Sequence, residues 1–376
     1  MKKIMVVFGT RPEAIKMAPL VQVLKNCEQL EPIVVITAQH REMLDGVLRT
    51  FKINPDYDLD IMKQNQSLSQ ITSNVIEKME EVIEIEKPDM ILVHGDTTTT
   101  FSGGLAAFYH QVAIGHVEAG LRTYDKYSPF PEEVNRQMVG VMSDLNFAPT
   151  LKAAHNLELE NKINDTIVVT GNTAIDAMKT TIKKDYESDI LKKHEDKRII
   201  LLTAHRRENI GEPMHNIFKA IKEVVDNNED VAVIYPMHKN PKVREIVDLY
   251  LSNNERIELI EPLGVVDFHN IANRSDLILT DSGGIQEEAP SLNKPVLVLR
   301  ENTERPEGVE AGTLKVIGNN FDSIYKETQN LLNNKEDYKR MSEAKNPYGD
   351  GFASERIRDN ILYYFNLIEE KPQNFV

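Results

Sequence analysis

Short runs of consecutive apolar residues recur along this chain, and stretches of helical character lie between several of them. Continuous apolar runs are typical of parallel strands that helices cover on both faces. The sequence therefore predicts an α/β fold with doubly wound parallel sheets. Thr10 with Glu13 three residues later predicts a capping box that opens the first helix. The predicted strands are 3–8, 33–37, 90–94, 112–117, 145–148, 199–203, 231–236, 257–260, 277–280 and 296–299.

The predicted strands form two series, which a polar, lysine-rich stretch at 179–197 separates. A chain of 376 residues is long enough to bury two hydrophobic cores. We therefore predict two Rossmann-like domains, at 1–172 and 173–353, and a final helical segment at 354–370 that could cover either one. Ligands of such sheets bind at the carboxyl ends of the strands, and two facing sheets would form a cleft between the domains.

The composition argues against several classes of protein. The chain has 59 acidic and 44 basic side chains and a net charge of −15, so neither a nucleic acid nor an anionic membrane is expected as a partner. The single cysteine, Cys27, excludes an intrachain disulfide and fits a reducing cytoplasm. Residues 97–117 contain no Asp, Glu, Lys or Arg, but their threonines, histidines and glycines indicate a buried helix and strand. The apolar run at 4–8 is too short for the core of a signal peptide.

The stretch 277–292, LILTDSGGIQEEAPSL, predicts a strand, a tight turn and a helix. Glycines at 283 and 284 let the backbone approach a ligand closely. The first N–H groups of a helix have no partner within the helix and lie at the positive end of its dipole, where phosphate binds well. The alternative is an ordinary strand-to-helix turn that Ser282 caps.

Polar residues follow other predicted strands in the same way. Arg11, Asp96 and Glu118 follow strands of the first half, and His205 and His238 follow strands of the second half. Because the carboxyl ends of parallel strands share one edge of a sheet, these side chains would gather at the proposed cleft. Each of them could instead be a helix cap or a member of a surface ion pair.

A loop with two prolines, SPFPEEVNR at 128–136, delivers Glu132 and Glu133 to the start of a predicted helix. In one interpretation these carboxylates stabilise the helix dipole. In the other, Glu132 and either Glu118 or Asp96 act as acid and base across a substrate. Such a role requires that burial or a neighbouring like charge moves a pKa toward neutrality.

Sequence motifs of the common cofactor and metal sites do not occur. The sequence has no G-x-G-x-x-G after a strand, no G-x-x-x-x-G-K phosphate loop, no C-x-x-C and no H-E-x-x-H. We therefore expect neither a nicotinamide cofactor nor a bound metal.

Sequence blocks between residues 8 and 351 resemble the non-hydrolysing UDP-N-acetylglucosamine 2-epimerases, so the resemblance covers nearly the whole chain. It implies the GT-B fold, in which two Rossmann-like domains face each other across a cleft. It also implies that the C-terminal segment, here 354–376, crosses back onto the first domain. The blocks are FGTRPEAIKMAPL, TAQHREML, LVHGDTTTT, GHVEAGLRT, SPFPEEVNR, TGNTAIDA, TAHRREN, LTDSGGIQEEAPSL, TERPEGVEAGT and NPYGDG.

The resemblance implies reversible conversion of UDP-N-acetylglucosamine into UDP-N-acetylmannosamine, a precursor of cell-envelope polysaccharides or teichoic-acid linkage units. The hydrogen on C2 is not next to a carbonyl, so simple proton abstraction is very hard. Enzymes of this family break the bond between C1 and UDP, which gives 2-acetamidoglucal and UDP. They then add UDP back and deliver a proton to the opposite face. No cofactor is implied, and the family suggests a homodimer.

Matching positions imply roles for individual residues. The implied catalytic residues are Asp96, Glu118, Glu132, Lys16 and His205. The implied UDP-sugar-binding residues are Arg11, Lys16, Asp96, Glu118, Arg136, His205, Phe268, Ser282, Gly283, Gly284, Glu288 and Arg305, with Glu288 on the ribose and Phe268 against the uracil. Which acid serves which face of C2 does not follow from the sequence.

Some members of the family are activated by a second UDP-N-acetylglucosamine beside the active site. The residues that match this regulatory site are Gln39, His40, Gln66, Arg206 and His238, whereas Glu42 and Asn65 depart from the expected pattern. Three other functions stay open: a hydrolysing epimerase of the same fold, a retaining glycosyltransferase, and a catalytically silent nucleotide-sugar sensor.

Overall fold

The computed structural model describes residues 1–37, 41–62 and 66–376. The chain divides into two compact units. The first unit contains Met1–Thr180 and Gly349–Val376, and the second contains Thr181–Tyr348. Each unit is built on its own parallel sheet.

The sheet of the first unit has seven strands in the described part of the chain. They are β1 (Lys2–Phe8), β2 (Leu30–Ile36), β3 (Tyr57–Asp58), β4 (Met90–His94), β5 (Ala113–Val117), β6 (Leu145–Ala148) and β7 (Ile167–Val169). Their order across the sheet is β3-β2-β1-β4-β5-β6-β7, and every neighbouring pair is parallel. The order reverses between β1 and β4, and ligands of doubly wound sheets bind at this switch point.

Helices cover both faces of this sheet. Alternate residues of β1 point to opposite sides: Ile4 and Val6 pack with α1 and α2, whereas Met5 and Val7 pack with α3 and α4. The helices of this unit are α1 (Arg11–Lys25), α2 (Arg41–Phe51), α3 (Leu68–Glu86), α4 (Thr98–Tyr109), α5 (Glu132–Met142), α6 (Leu151–Leu159), α7 (Thr173–Thr181) and α16 (Ala353–Tyr364), with a 3₁₀ turn at Asn164–Thr166. The last helix packs against α1 through Ile357 and Ile361.

The second unit repeats the same arrangement. Its strands are β8 (Arg198–Thr203), β9 (Val231–Pro236), β10 (Ile257–Ile260), β11 (Leu277–Thr280), β12 (Val296–Val298) and β13 (Leu314–Val316). Their order is β10-β9-β8-β11-β12-β13, again with all pairs parallel and a switch point between β8 and β11.

The helices of the second unit also lie on both faces of its sheet. They are α8 (Asp189–Lys193), α9 (Glu212–Asp226), α10 (Pro241–Tyr250), α11 (Val265–Arg274), α12 (Gly283–Glu288), α13 (Pro306–Glu310), α14 (Phe321–Asn333) and α15 (Lys335–Ser342), with 3₁₀ turns at Arg207–Asn209 and Ala289–Leu292. The stretch predicted as a linker contains α8. Across residues 1–37, 41–62 and 66–376, each helix is either too short or too polar to cross a bilayer.

The predicted fold class is confirmed, and every predicted strand is present with its ends within three residues of the prediction. The sequence analysis missed β3, β7 and β13, each of which has only two or three residues and lies at the edge of its sheet. Edge strands of parallel sheets are often this short, and their few apolar residues give no continuous run.

The end of the last helix was predicted wrongly, because α16 stops at Tyr364 and does not continue to residue 370. Asn366 takes a left-handed conformation with φ 55°. The N–H of Leu367 donates to the carbonyl of Leu362 at 2.9 Å, and that of Asn366 donates to Tyr363 at 2.9 Å. This pair of bonds is the Schellman ending of a helix, with asparagine in the position that glycine often takes.

Candidate active site

A cavity of about 500 Å³ opens at the switch point of the first sheet. It is lined by Thr10, Arg11, Pro12, Glu13, Lys16, His94, Gly95, Asp96, Thr97 and Glu118. Four residues of the predicted site, Arg11, Lys16, Asp96 and Glu118, therefore lie around one space. Within the described ranges, no group of three or more His, Cys, Asp or Glu side chains is arranged to hold a metal ion.

Three side chains approach one oxygen of Glu118. Its Oε2 pairs with the ammonium of Lys16 and lies 3.5 Å from Nε2 of His94. The same oxygen accepts a hydrogen bond from Nδ2 of Asn172 at 3.3 Å. Burial alone would raise the pKa of Glu118, but Lys16 and His94 outweigh it and hold that pKa well below its usual value. The carboxylate is therefore ionised at neutral pH.

The pKa of Asp96 is moved in the opposite direction. Its Oδ2 forms an ion pair with Arg136 at 2.8 Å. Burial raises the pKa of Asp96 more than Arg136 lowers it, and the negative charges of Glu118 and Glu132 raise it further. Two carboxylates of one cavity thus have pKa values moved in opposite directions, which is the arrangement that divides acid from base roles in enzymes.

Glu132 and Glu133 begin α5, and their surroundings differ. Glu133 is fully buried and accepts hydrogen bonds from the backbone N–H groups of Thr123 and Tyr124, each at 3.0 Å. It fixes the loop that precedes the helix. Glu132 is half-buried, and its charge acts on Asp96. Of the two adjacent acids, Glu132 is therefore the one whose charge reaches the cavity.

Glu13 ties together the loops that carry Arg11 and Asp96. It completes the predicted capping box of α1, which is confirmed. The same buried carboxylate also reaches the first turn of α4, so its four bonds connect the ends of β1 and β4. Its hydrogen-bond donors are the N–H groups of Gly9 (3.0 Å) and Thr10 (2.7 Å) and the hydroxyls of Thr97 (2.6 Å) and Thr100 (3.2 Å).

His116 supports the turn between β4 and Asp96. Its Nε2 lies 2.7 Å from the carbonyl oxygen of Gly95, and its ring is fully buried. Burial lowers the pKa of His116 to about 4. The ring is therefore neutral at pH 7, with the proton on Nε2 donated to the carbonyl.

The sequence analysis assigned no role to His94 or Asn172, and it interpreted Glu13 only as a cap. His94 ends β4, and the strand-end rule places it with Asp96 at the carboxyl end of that strand without giving it a function. Asn172 follows β7, whose three residues gave no strand signal. Its contact with Glu118 could not be read from the sequence.

The switch point of the second sheet brings His205 beside Asp281. Asp281 directly follows β11, and its Oδ1 lies 3.4 Å from Nδ1 of His205. The ring of His238 stacks on that of His205, with 5.6 Å between centroids and 12° between planes. Burial lowers the pKa of His205, Asp281 opposes this, and His238 and Arg206 lower it further, so that it lies below its ordinary value.

The turn at Ser282, Gly283 and Gly284 opens α12, as predicted. Ser282 occupies the N-cap position that the alternative interpretation gives it, but its side chain makes no capping hydrogen bond. A Cβ atom added at Gly283 would lie 3.5 Å from Nη2 of Arg206 and 3.9 Å from Nη2 of Arg305. Two guanidinium groups therefore approach one side of the turn. Arg305 is also paired with Glu287.

The residues predicted at the uracil and the ribose lie close together in the second unit. Phe268 is on α11, and its ring centroid is 6.2 Å from that of His269. Nε2 of His269 lies 3.4 Å from Oε2 of Glu288, and its Nδ1 is 2.7 Å from the hydroxyl of Thr181. His269 thus links Glu288 to α11.

The residues predicted for a regulatory site lie in different parts of the chain. Gln39 and His40 lie outside the described residues. Gln66 precedes α3 in the first unit, whereas Arg206 and His238 lie beside His205 in the second. Arg206 and His238 are therefore grouped with the residues predicted to hold the diphosphate.

The two sheets and their switch-point sites are those of a two-domain α/β enzyme of the Rossmann type. A family model described as UDP-N-acetylglucosamine 2-epimerase matches residues 22–362. The UDP-N-acetylglucosamine 2-epimerase of Bacillus subtilis (strain 168) is 59% identical over 373 residues, which cover 99% of this chain and 98% of that protein.

Solved structures agree with this likeness. S. aureus MnaA, solved with UDP, is 65% identical with a TM-score of 0.91, and the match covers 100% of both chains. The UDP-GlcNAc 2-epimerase of Neisseria meningitidis, bound to UDP-GlcNAc, is 48% identical with a TM-score of 0.86, and covers 96% of this chain and 100% of its own. The chain belongs to the UDP-N-acetylglucosamine 2-epimerase family.

Proposed function

We propose that this protein interconverts UDP-N-acetylglucosamine and UDP-N-acetylmannosamine without hydrolysing either one. The observation that carries the proposal is the pair Asp96 and Glu118, which line one cavity with pKa values moved in opposite directions. Epimerisation removes a proton from one face of a carbon and returns one to the other face. It therefore needs one ionised and one protonated group at the same time.

The chemistry explains why UDP must leave before C2 is inverted. The C2 hydrogen of the sugar becomes acidic only when the bond from C1 to the UDP oxygen breaks and positive charge develops at C1. Loss of UDP from C1 and of the proton from C2 gives 2-acetamidoglucal. Return of the UDP oxygen to C1, with a proton delivered to the opposite face of C2, gives the epimer. The atoms of substrate and product therefore balance without a cofactor.

Within this reaction we assign Glu118 as the base and Asp96 as the acid for one direction. Lys16 and His94 keep the pKa of Glu118 low, and the contacts of Lys16, His94 and Asn172 with its Oε2 fix the orientation of the carboxylate. Asp96 is assigned as the acid, because burial and the charges of Glu118 and Glu132 raise its pKa against the opposing effect of Arg136. The two residues exchange roles in the reverse direction.

The second unit supplies the groups for UDP. His205, Arg206 and Arg305 lie around the Ser282–Gly284 turn and would stabilise the diphosphate as it leaves C1 and returns. Glu288 would accept hydrogen bonds from the ribose, and Phe268 would stack on the uracil. The complexes of MnaA with UDP and of the N. meningitidis enzyme with UDP-GlcNAc support this ligand class.

Product analysis tests the proposal against its alternatives. Incubation with UDP-N-acetylglucosamine alone should give UDP-N-acetylmannosamine, identified by chromatography against a standard. Free N-acetylmannosamine with UDP would indicate a hydrolysing epimerase. An unchanged substrate would indicate either a transferase that needs an acceptor or a nucleotide-sugar sensor.

We also propose that the protein is a homodimer that uses the face of α5. Val134, Met138 and Val141 lie on one side of this helix and are 40%, 46% and 70% exposed. Light scattering should give a dimer for the wild type and the 42.8 kDa monomer for Met138→Glu. Leu249→Glu, which changes an apolar residue that is 68% exposed on α10, is the matched control. A dimer that survives Met138→Glu would exclude this face.

Activation by a second substrate molecule is a separate proposal, which rests on the matching residues Gln66, Arg206 and His238. It predicts that the reverse reaction needs added UDP-N-acetylglucosamine to start. Hyperbolic kinetics and a reverse reaction that begins without this addition would contradict it. The product would supply cell-envelope polysaccharide or teichoic-acid synthesis, and the single cysteine supports a cytoplasmic location.

A further inference from the structure

Asp281 is a fully buried carboxylate next to His205. Its Oδ2 accepts hydrogen bonds from the N–H groups of His205 and Arg206, each at 2.8 Å, and from Nδ2 of Asn209 at 3.0 Å. In the described part of the chain, its Oδ1 accepts no hydrogen bond. That oxygen lies 3.4 Å from Nδ1 of His205. The amides therefore satisfy one oxygen of the carboxylate, and the imidazole is placed to satisfy the other.

We propose that Asp281 is a positioning residue that holds His205 as an imidazolium when a diphosphate is bound. Nδ1–H of His205 then donates to Oδ1 of Asp281, and Nε2–H donates to a phosphate oxygen of the ligand. A buried carboxylate orients an imidazole in this way and stabilises its charged form. The inference rests on the proposed function, because it takes UDP as the ligand of the second unit.

Among the described residues, the charged and titratable groups that face His205 come from three segments. Asp281 follows β11, Arg206 follows β8, and His238 follows β9 and stacks on the ring. In the free protein, burial, Arg206 and His238 favour the neutral imidazole, and Asp281 opposes them. A diphosphate brings several negative charges to this group of side chains. Binding therefore raises the pKa of His205, and the ring takes up a proton from solvent.

This proton uptake gives UDP binding a defined pH dependence. The ligand binds most tightly below the pKa of His205 in the free protein, where the ring is already charged. The affinity falls as the pH rises from that pKa toward the higher pKa of the complex. Above both values the ring is neutral in both states, and its contribution no longer changes.

Calorimetric titration of UDP into the full chain measures the proton uptake directly. The titrations are repeated in buffers that differ in ionisation enthalpy, between about pH 6.5 and 8.5. The terminal phosphate of UDP titrates near pH ~6, so each variant is compared with the wild type at the same pH. Asp281→Asn keeps the size of the side chain but cannot pair with an imidazolium. We expect it to lose the proton uptake and to bind UDP roughly tenfold more weakly near pH 7. His205→Gln should lose the same uptake.

Asp276→Asn is the matched control, because Asp276 precedes the same strand that Asp281 follows, and it also accepts a backbone N–H, that of Ile199, at 2.7 Å. It should retain the wild-type uptake. Equal uptake in the wild type and Asp281→Asn overturns the proposal, and so does an equal loss in Asp276→Asn.

Should Asp281→Asn fail to fold, ¹⁵N NMR of the wild-type complex with UDP decides the question, with the His205 signals assigned through His205→Gln. Two protonated ring nitrogens support the proposal, and an unprotonated Nδ1 overturns it. A wild-type protein that does not bind UDP contradicts the proposed function itself.

Discussion

At the scale of single residues, the account depends on the different neighbours of Glu118 and Asp96. Glu118→Gln removes the ionised group and Asp96→Asn the protonatable one, and either change leaves the size of the side chain unaltered. We expect each to lower kcat by on the order of a hundredfold or more, as lost acid or base catalysis does. Steady-state kinetics with UDP-N-acetylglucosamine measures this. Near-normal turnover in both variants would mean that other groups move the proton.

The buried ring of His116 leads to a prediction about how the stability of the fold depends on pH. Its pKa is about 4 in the folded protein, below the ordinary value of about 6.5 in the unfolded chain. Between these values the unfolded state binds the proton and the folded state does not, so stability falls as the pH drops through this window. The loss is about 3 kcal/mol in total. Urea denaturation at about pH 7 and pH 4.5 should show a smaller loss for His116→Asn than for the wild type.

The matched control for this measurement is His155→Asn, which alters a histidine whose side chain is 64% exposed. It should lose stability with falling pH as the wild type does. Equal pH dependence in the wild type and His116→Asn would contradict the assignment of a neutral, buried ring.

The candidate site was predictable where a polar residue follows a continuous apolar run. Asp96, Glu118, Arg11 and His205 follow such runs, and the structure places each at the carboxyl end of its sheet. The sequence does not show in which direction each of these side chains points. Glu118 has a left-handed backbone with φ 62°, and its contacts with His94 and Asn172 depend on packing between distant segments.

At the scale of elements, the capping boxes of α1 and α3 in the first unit offer a matched comparison. Glu13 and Gln70 both occupy the third position of a capping box, in α1 and α3. Glu13 is buried and also bonds the first turn of α4, whereas Gln70 is exposed. Glu13→Ala should cost about 2–3 kcal/mol, because it leaves several buried donors unpaired, and Gln70→Ala about 1 kcal/mol or less.

The two changes should also differ in their kinetics. Glu13→Ala releases the loop that carries Arg11, so KM for UDP-N-acetylglucosamine should rise, while Gln70→Ala should leave KM unchanged. Urea denaturation and steady-state kinetics check both statements. An unchanged KM in a folded Glu13→Ala variant would show that the capping box does not position Arg11.

Whether a strand could be predicted from the sequence depended on the length of the strand. Strands of four or more apolar residues were found, because a continuous run marks them. The edge strands β3, β7 and β13 have too few residues to give such a run. The early end of α16 had a local signal, since asparagine is one of the few residues that readily adopt the left-handed conformation taken by Asn366.

At the scale of the whole molecule, the described strands of the second unit follow the same order as the first six strands of the first unit, and each order reverses at one point. The two series of apolar runs predicted two such sheets. The order of strands within each sheet is set by long-range pairing, which no local pattern records. The positions of the switch points could be determined only once that order was known.

The most direct test of the central claim is proton NMR of UDP-N-acetylglucosamine incubated with the protein in deuterated water, without metal or NAD. We predict UDP-N-acetylmannosamine that carries deuterium at C2, together with traces of UDP and 2-acetamidoglucal. An epimer that retains its original hydrogen at C2, or a substrate that remains unchanged, would contradict elimination and re-addition by Asp96 and Glu118.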